Sequence, residues 1–179
     1  MLLLGCRPKG RLTEQHDIFF GIANDLKDLI PDINAFWPEA KNNIHIDAWR
    51  EVNYVDGYNL TVVSRNVMSE IQPAQLYFFN LGGYKSNEFD EFHYKMLIVA
   101  NDKEEAIKQS KQTAFYKHTG FKGAPAHVDD KYGIDVDDMY AINDILAKKY
   151  KEEYTIALSE NAVGIEDEIH LGYLPLYKI

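Results

Sequence analysis

Two Glu-x-His pairs, Glu14/His16 and Glu91/His93, are the residues of this 179-residue chain best placed to do chemistry. On an extended segment, residues i and i+2 point to the same side, so each pair presents a carboxylate and an imidazole together. Such a pair suits general acid–base work, and both groups are metal ligands. Two ligands fall short of the three or four that a protein-made zinc site uses, and no further His, Cys or carboxylate recurs at a matching loop position. The expectation is therefore no metal and no cofactor, with the pairs hydrogen-bonding loop backbone that a strand ladder cannot satisfy. Twofold packing of the two pairs would instead assemble a two-His, two-Glu set.

A second candidate is the glycine-containing loop ahead of each pair: Arg7-Pro8-Lys9-Gly10-Arg11 and Gly82-Gly83-Tyr84-Lys85-Ser86. Backbone N–H groups in such loops, helped by cations, can cradle an anion. Arg7, Lys9, Arg11, Gly82, Gly83 and Lys85 are the candidate ligand-binding residues, although neither loop has phosphate-loop spacing. A third candidate is the acidic run Asp129-Asp130 and Asp135-x-Asp137-Asp138, with His127 and His45-x-Asp47 as neighbours. It lacks the glycine and closing glutamate of a calcium loop and reads as a solvated turn. No nucleophile elbow, Cys-x-x-Cys, His-Glu-x-x-His or dinucleotide fingerprint occurs, and His118 and His170 have no patterned partner.

The elements that would position these residues repeat. Shifting the chain by 77 places Leu4-Gly5 on Leu81-Gly82, Glu14 on Glu91, His16 on His93 and Ala23-Asn24-Asp25 on Ala100-Asn101-Asp102. Those seven identities in 24 pairs compare with about one or two by chance. The match resumes at an offset of 90, with Ile46-Asp47 on Val136-Asp137, Trp49 on Met139 and Val52-Asn53 on Ile142-Asn143. The second copy then carries extra residues within Thr119–Lys131, and the partner of Leu76 falls before Met1, so the natural start is expected a few residues upstream.

Each copy reads as strand, strand, helix, strand, strand. Copy one spans 1–63: an opening strand at Leu2–Leu4, a strand over Asp17–Ala23, and a helix capped by Asn24 or Asp25. Pro31 should kink that helix or begin a fresh turn. An extended run His45–Val55 and a strand Tyr58–Val63 follow, joined by a tight turn at Asp56-Gly57. Residues 64–75 are the linker. Copy two spans 76–160: strands Leu76–Asn80 and Tyr94–Ala100, a helix Lys103–Phe115 capped by Asp102, a locally helical Ala141–Tyr150, and a strand Tyr154–Leu158. Residues 161–179 form a tail with one more strand. The fold expected is α+β, a tandem duplication with antiparallel sheets, β-grasp-like or ferredoxin-like in shape.

Composition bounds the function. With 46% hydrophobic and 13% aromatic residues the chain can build a core, and no apolar run is long enough to span a membrane. A net charge of −9 opposes nucleic acid and anionic lipid as partners. The lone Cys6 excludes an internal disulfide and reads as an ordinary thiol. Leu3-Leu4-Gly5-Cys6 lacks the apolar stretch of a signal peptide, so the location expected is the cytoplasm.

At Asn80-Leu81-Gly82-Gly83-Tyr84, Glu91-x-His93 and Val136-Asp137-Asp138 the chain resembles the bacterial domain-of-unknown-function 1543 family. Copy one fits through Leu4-Gly5-Cys6, Glu14-x-His16-Asp17, His45-Ile46-Asp47 and the hairpin Val55-Asp56-Gly57-Tyr58. The resemblance covers all but the linker and tail and implies one or two copies of the module. It brings no activity, substrate or catalytic residue. Copy two departs from it where Asn143 to Tyr154 replaces the Asp-Gly-Tyr hairpin.

The function expected is a non-catalytic binding module for a small anionic ligand or a protein partner, with sheet edges open to homo-oligomers. The rival is a hydrolase- or isomerase-type enzyme that uses a repeated Glu/His pair, with or without a metal. An enzyme should place the pair in a concave pocket; a binding module should not.

Overall fold

A computed structural model describes residues 1–41, 43–66, 72–83, 87–112 and 139–179. Its strands are β1 (Leu2–Cys6), β2 (Gln15–Phe19), β3 (His45–Trp49), β4 (Tyr54–Val55), β5 (Tyr58–Ser64), β6 (Gln75–Gly83), β7 (Phe92–Ala100), β8 (Met139–Ala141), β9 (Tyr154–Glu160) and β10 (His170–Pro175). The helices are α1 (Ile30–Phe36), α2 (Lys103–Ser110), α3 (Ile142–Ile145) and α4 (Lys148–Glu153), and a 3₁₀ turn, Leu26–Leu29, leads into α1. All sheet pairings are antiparallel, and the class is α+β.

Three sheets form, ordered β10-β3-β1-β2, β4-β5-β9 and β7-β6-β8. In the first, β1 pairs with both β2 and β3; in the third, β6 pairs with both β7 and β8. The registers correspond position by position. Leu4 faces Asp17 and Leu81 faces Tyr94, while Gly5 faces His16 and Gly82 faces His93. Leu2 faces Trp49, and Phe79, 77 residues on, faces Met139. The closing strands make a sheet of their own. β5 and β9 pair with each other along seven residues, so each covers the other's exposed edge.

Burial follows the strand period. Leu2, Leu4 and Cys6 point into the core with Leu29 and Ile33, and residues from Leu2 to Leu176 merge in one apolar cluster. A smaller cluster on the opposite face of β6 joins Tyr77, Phe79 and Leu81 to Ala106 of α2. The tail strand β10 docks on β3 and so completes the first sheet.

Several expected boundaries move. β2 begins at Gln15 and ends at Phe19, so His16 lies within the ladder rather than before it. Pro31 opens α1 in its first turn, where its missing N–H has no partner to lose. Asp25 precedes the 3₁₀ turn without a side-chain capping bond, whereas Asp102 caps α2 by accepting from Glu105 N at 2.8 Å. The expected extension of α2 to Phe115 falls outside the described residues. Asp56 and Gly57, at φ 50° and 84°, make the expected tight turn between β4 and β5. Gly82 and Gly83 are the end of β6 and not the start of a loop. Among the described residues no helix is long and apolar enough to cross a membrane.

Asp32 of α1 ties the two halves together. It accepts a hydrogen bond from the Tyr150 hydroxyl of α4 and lies 2.7 Å from Lys149 Nζ. Burial works to raise its pKa, but Lys149 and Tyr150 outweigh that and hold the carboxyl below its usual range. A depressed folded pKa contributes stability that is present above the unfolded value and lost as pH falls through the folded one. Asp32→Asn should therefore lower stability at pH 7 by about 1–3 kcal/mol, most of it from the Tyr150 bond because Lys149 is exposed. Urea denaturation across the acid range checks this: the penalty should fade below about pH 4.

Candidate functional site

Gly5 is paired with His16 on one side and His45 on the other, so His16, Gly5 and His45 form one row across β2, β1 and β3. Residues opposite one another in a ladder point to the same face. Gly5 has no side chain to put there, and the gap lets both imidazoles lean over it. A Cβ at Gly5 would collide with the His45 ring and stand 2.5 Å from Asp47 Oδ2.

Two carboxylates complete the cluster. Glu14 ends the loop into β2, two residues before His16 and on its face. Asp47 sits in a β-bulge: Ile46 pairs with Leu4 and Ala48 with Leu3, which leaves Asp47 without a partner in the β1 register. The β10 register skips the same residue, with Leu174 on Ile46 and Leu171 on Ala48. Bulges re-aim side chains, and this one brings Asp47 back over Gly5.

The four groups meet closely. His16 Nε2 is 3.2 Å from Asp47 Oδ2 and 3.7 Å from Glu14 Oε2. His45 Nε2 is 3.2 Å from Glu14 Oε1 and 3.3 Å from Asp47 Oδ2. His45 is buried, packed on the ring of Tyr173 from β10 at 4.3 Å between centroids. Its Nε2 and Asp47 Oδ2 are both buried, and neither makes a hydrogen bond to a described residue. The neighbouring Cys6 thiol is buried, and burial, with Glu14 adding to it, pushes its pKa up. That makes it a poor nucleophile.

The remaining candidates distribute around this cluster. Arg7, Lys9 and Arg11 are exposed on the loop joining β1 to β2, which turns through Gly10 at φ 87° with Arg11 N donating to Pro8 O. Glu91 and His93 take the equivalent places beside Gly82, 3.8 Å apart. Gly82 and Gly83 lie in the ladder, opposite His93 and Phe92. Lys85, His118, His127 and the acidic run from Asp129 to Asp138 lie outside the described residues. The side-chain partners of Glu14 and His16 are His45 and Asp47, and not the loop backbone that the sequence suggested.

His45 and Asp47 are the residues that sequence reasoning undervalued, having set them beside the acidic run. The signal was present: His45-x-Asp47 mirrors Glu14-x-His16 on the other strand flanking Gly5. A cavity of about 550 Å³, walled by Phe20, Trp49, Leu60 and Ile156 and edged by Arg50, opens near the Leu2 end of β1 and includes none of the four cluster residues.

The fold and cluster define an α+β protein with an imidazole–carboxylate site on a sheet face. The sequence model of the family described as Domain of Unknown Function (DUF1543) matches residues 11–62, so the chain is similar to that family over this segment. The matched stretch contains Glu14, His16, His45 and Asp47. No curated protein matches the chain. Among solved structures it is similar to the protein Il1583 from Idiomarina loihiensis, with a TM-score of 0.62, over 98% of this chain and 94% of that one. At 18% identity that likeness shows the fold alone.

Gly5→Ala should expel the His45 and Asp47 side chains and cost about 1–3 kcal/mol, the usual penalty of forcing atoms into a packed site. Gly82→Ala should cost clearly less. Its Cβ would meet Glu91 Oε1 at 3.2 Å, the far end of a flexible side chain. Urea denaturation of both variants checks the difference, and equal costs would contradict the packing described.

Proposed function

We propose that this protein is a non-catalytic binding module whose ligand is seated over Gly5. The observation that carries this reading is the convergence of Glu14, His16, His45 and Asp47, from the two strands that flank β1 and one loop end, onto a face that glycine leaves clear. The 550 Å³ cavity at the Leu2 end of β1 is lined by residues other than these four. The loop cations Arg7, Lys9 and Arg11 border the seat and suit a small ligand with an anionic group. Glu14 and Asp47 oppose such a ligand unless their charge is offset.

The identical registers around Gly5 and Gly82 support a tandem duplication, with Glu91 and His93 as the start of a related seat. The same reading takes the partner to be a small molecule or a protein in the cytoplasm, and not a nucleic acid, which a net charge of −9 repels. The β2 and β10 edges of the first sheet offer routes to homo-oligomers. A second reading, a hydrolase- or isomerase-type enzyme, is favoured by one observation: each imidazole has two carboxylates within 3.7 Å, an arrangement suited to proton transfer.

Titrating inorganic phosphate into isotope-labelled protein should move the NMR resonances of His16, His45 and the loop from Arg7 to Arg11. The triple variant Arg7→Ala, Lys9→Ala, Arg11→Ala should lose most of that response. Shifts confined to Arg50 and the cavity walls would contradict the seat, as would no shifts at all.

A further inference from the structure

We propose that Glu14, His16, His45 and Asp47 together bind one divalent transition-metal ion of the zinc class. This rests on the seat over Gly5 proposed above and names what fills it. Two imidazole nitrogens and two carboxylate oxygens are a donor set that borderline divalent ions accept. The four nitrogen–oxygen contacts measure 3.2, 3.2, 3.3 and 3.7 Å. Ligands about 2.0–2.2 Å from a tetrahedral ion stand about 3.3–3.6 Å from one another, whereas a charge-assisted N–H to carboxylate bond closes to about 2.7–2.9 Å. The contacts are longer than such a bond and lie near, without matching, the spacing around an ion.

His45 Nε2 and Asp47 Oδ2 point the same way. Both are buried, 3.3 Å apart, and unbonded to any described residue. Both atoms lie where a Cβ on Gly5 would stand. A cation there satisfies both atoms and offsets the two carboxylate charges, which removes the obstacle to an anionic ligand arriving from the Arg7–Arg11 loop.

The cluster divides into a fixed half and a movable half. His45 and Asp47 are held on β3 with side chains 6% and 26% exposed, whereas those of His16 and Glu14 are 42% and 44% exposed. As they stand the groups contact one another, and no three His, Cys, Asp or Glu among the described residues surround a preformed ion position. Loading therefore requires the His16 and Glu14 side chains to swing outward around the ion, as their exposure permits. Glu91 and His93, 3.8 Å apart, supply only two ligands from the described residues and are not included.

The test is calorimetric titration of chelator-stripped, full-length protein with zinc alone, paired with thermal melts. One ion should bind per chain and raise Tm. His16→Ala and Asp47→Asn should each weaken binding by roughly 10–100-fold or more, since loss of even an outer-shell partner costs that much. His93→Ala should leave the affinity unchanged. His16 is exposed, so its variant carries the test even where His45→Ala does not fold. Undiminished binding in His16→Ala and Asp47→Asn overturns the proposal, as does no binding at all. If zinc fails to bind while phosphate still moves the His16 and His45 resonances, the metal is refuted and the seat survives. If neither binds, both fall.

Discussion

The missing side chain of Gly5 is the constraint from which the site follows. In the row His16–Gly5–His45, any larger residue at the centre would hold the two imidazoles apart and press on Asp47. Backbone pairing sets the row, the bulge at Asp47 adds an oxygen, and the last residue of the loop adds another. Each step is a local consequence of strand geometry, yet the product is a cluster whose members lie up to 33 positions apart in the chain. Its two innermost atoms, His45 Nε2 and Asp47 Oδ2, are buried 3.3 Å apart without a hydrogen bond to a described residue.

The surrounding fold keeps that row rigid. β1 is central in its sheet, β10 closes the far side of β3, and the Tyr173 ring covers His45. The core beneath β1 continues to Phe78, Ile142 and Tyr150, and β5 pairs with β9. The two halves thus share a core and a sheet, and Asp32 links α1 to α4 across the same boundary. A sheet face supported in this way holds the row His16–Gly5–His45 in register.

What was legible in the sequence was mostly local. The turn at Asp56-Gly57 and the Asp102 cap follow from residue types at short range, and the apolar strands β6 and β7 from their composition. Sliding the sequence along itself set Gly5 and His16 on Gly82 and His93, and these pairs do occupy matching rungs. Boundaries slipped where pairing overrode composition: the polar Gln15 and His16 lie in a strand because β1 pairs with them, and Gly82-Gly83 extends one because β7 pairs with it. The site was half legible. Glu14 and His16 stood out by spacing, but joining them to His45 and Asp47 needs the register of β1 against β3. That register crosses a turn of helix and contains a bulge, and no local pattern encodes it.

The central claim, that the two strands flanking β1 and a loop end gather one ligand set above Gly5, is tested most directly by crystallography of zinc-loaded protein with data collected at the zinc absorption edge. The account predicts one anomalous peak about 2.0–2.2 Å from Nε2 of His16 and His45 and from an oxygen each of Glu14 and Asp47. An empty map above Gly5, with the imidazoles hydrogen-bonded directly to the two carboxylates, would contradict it.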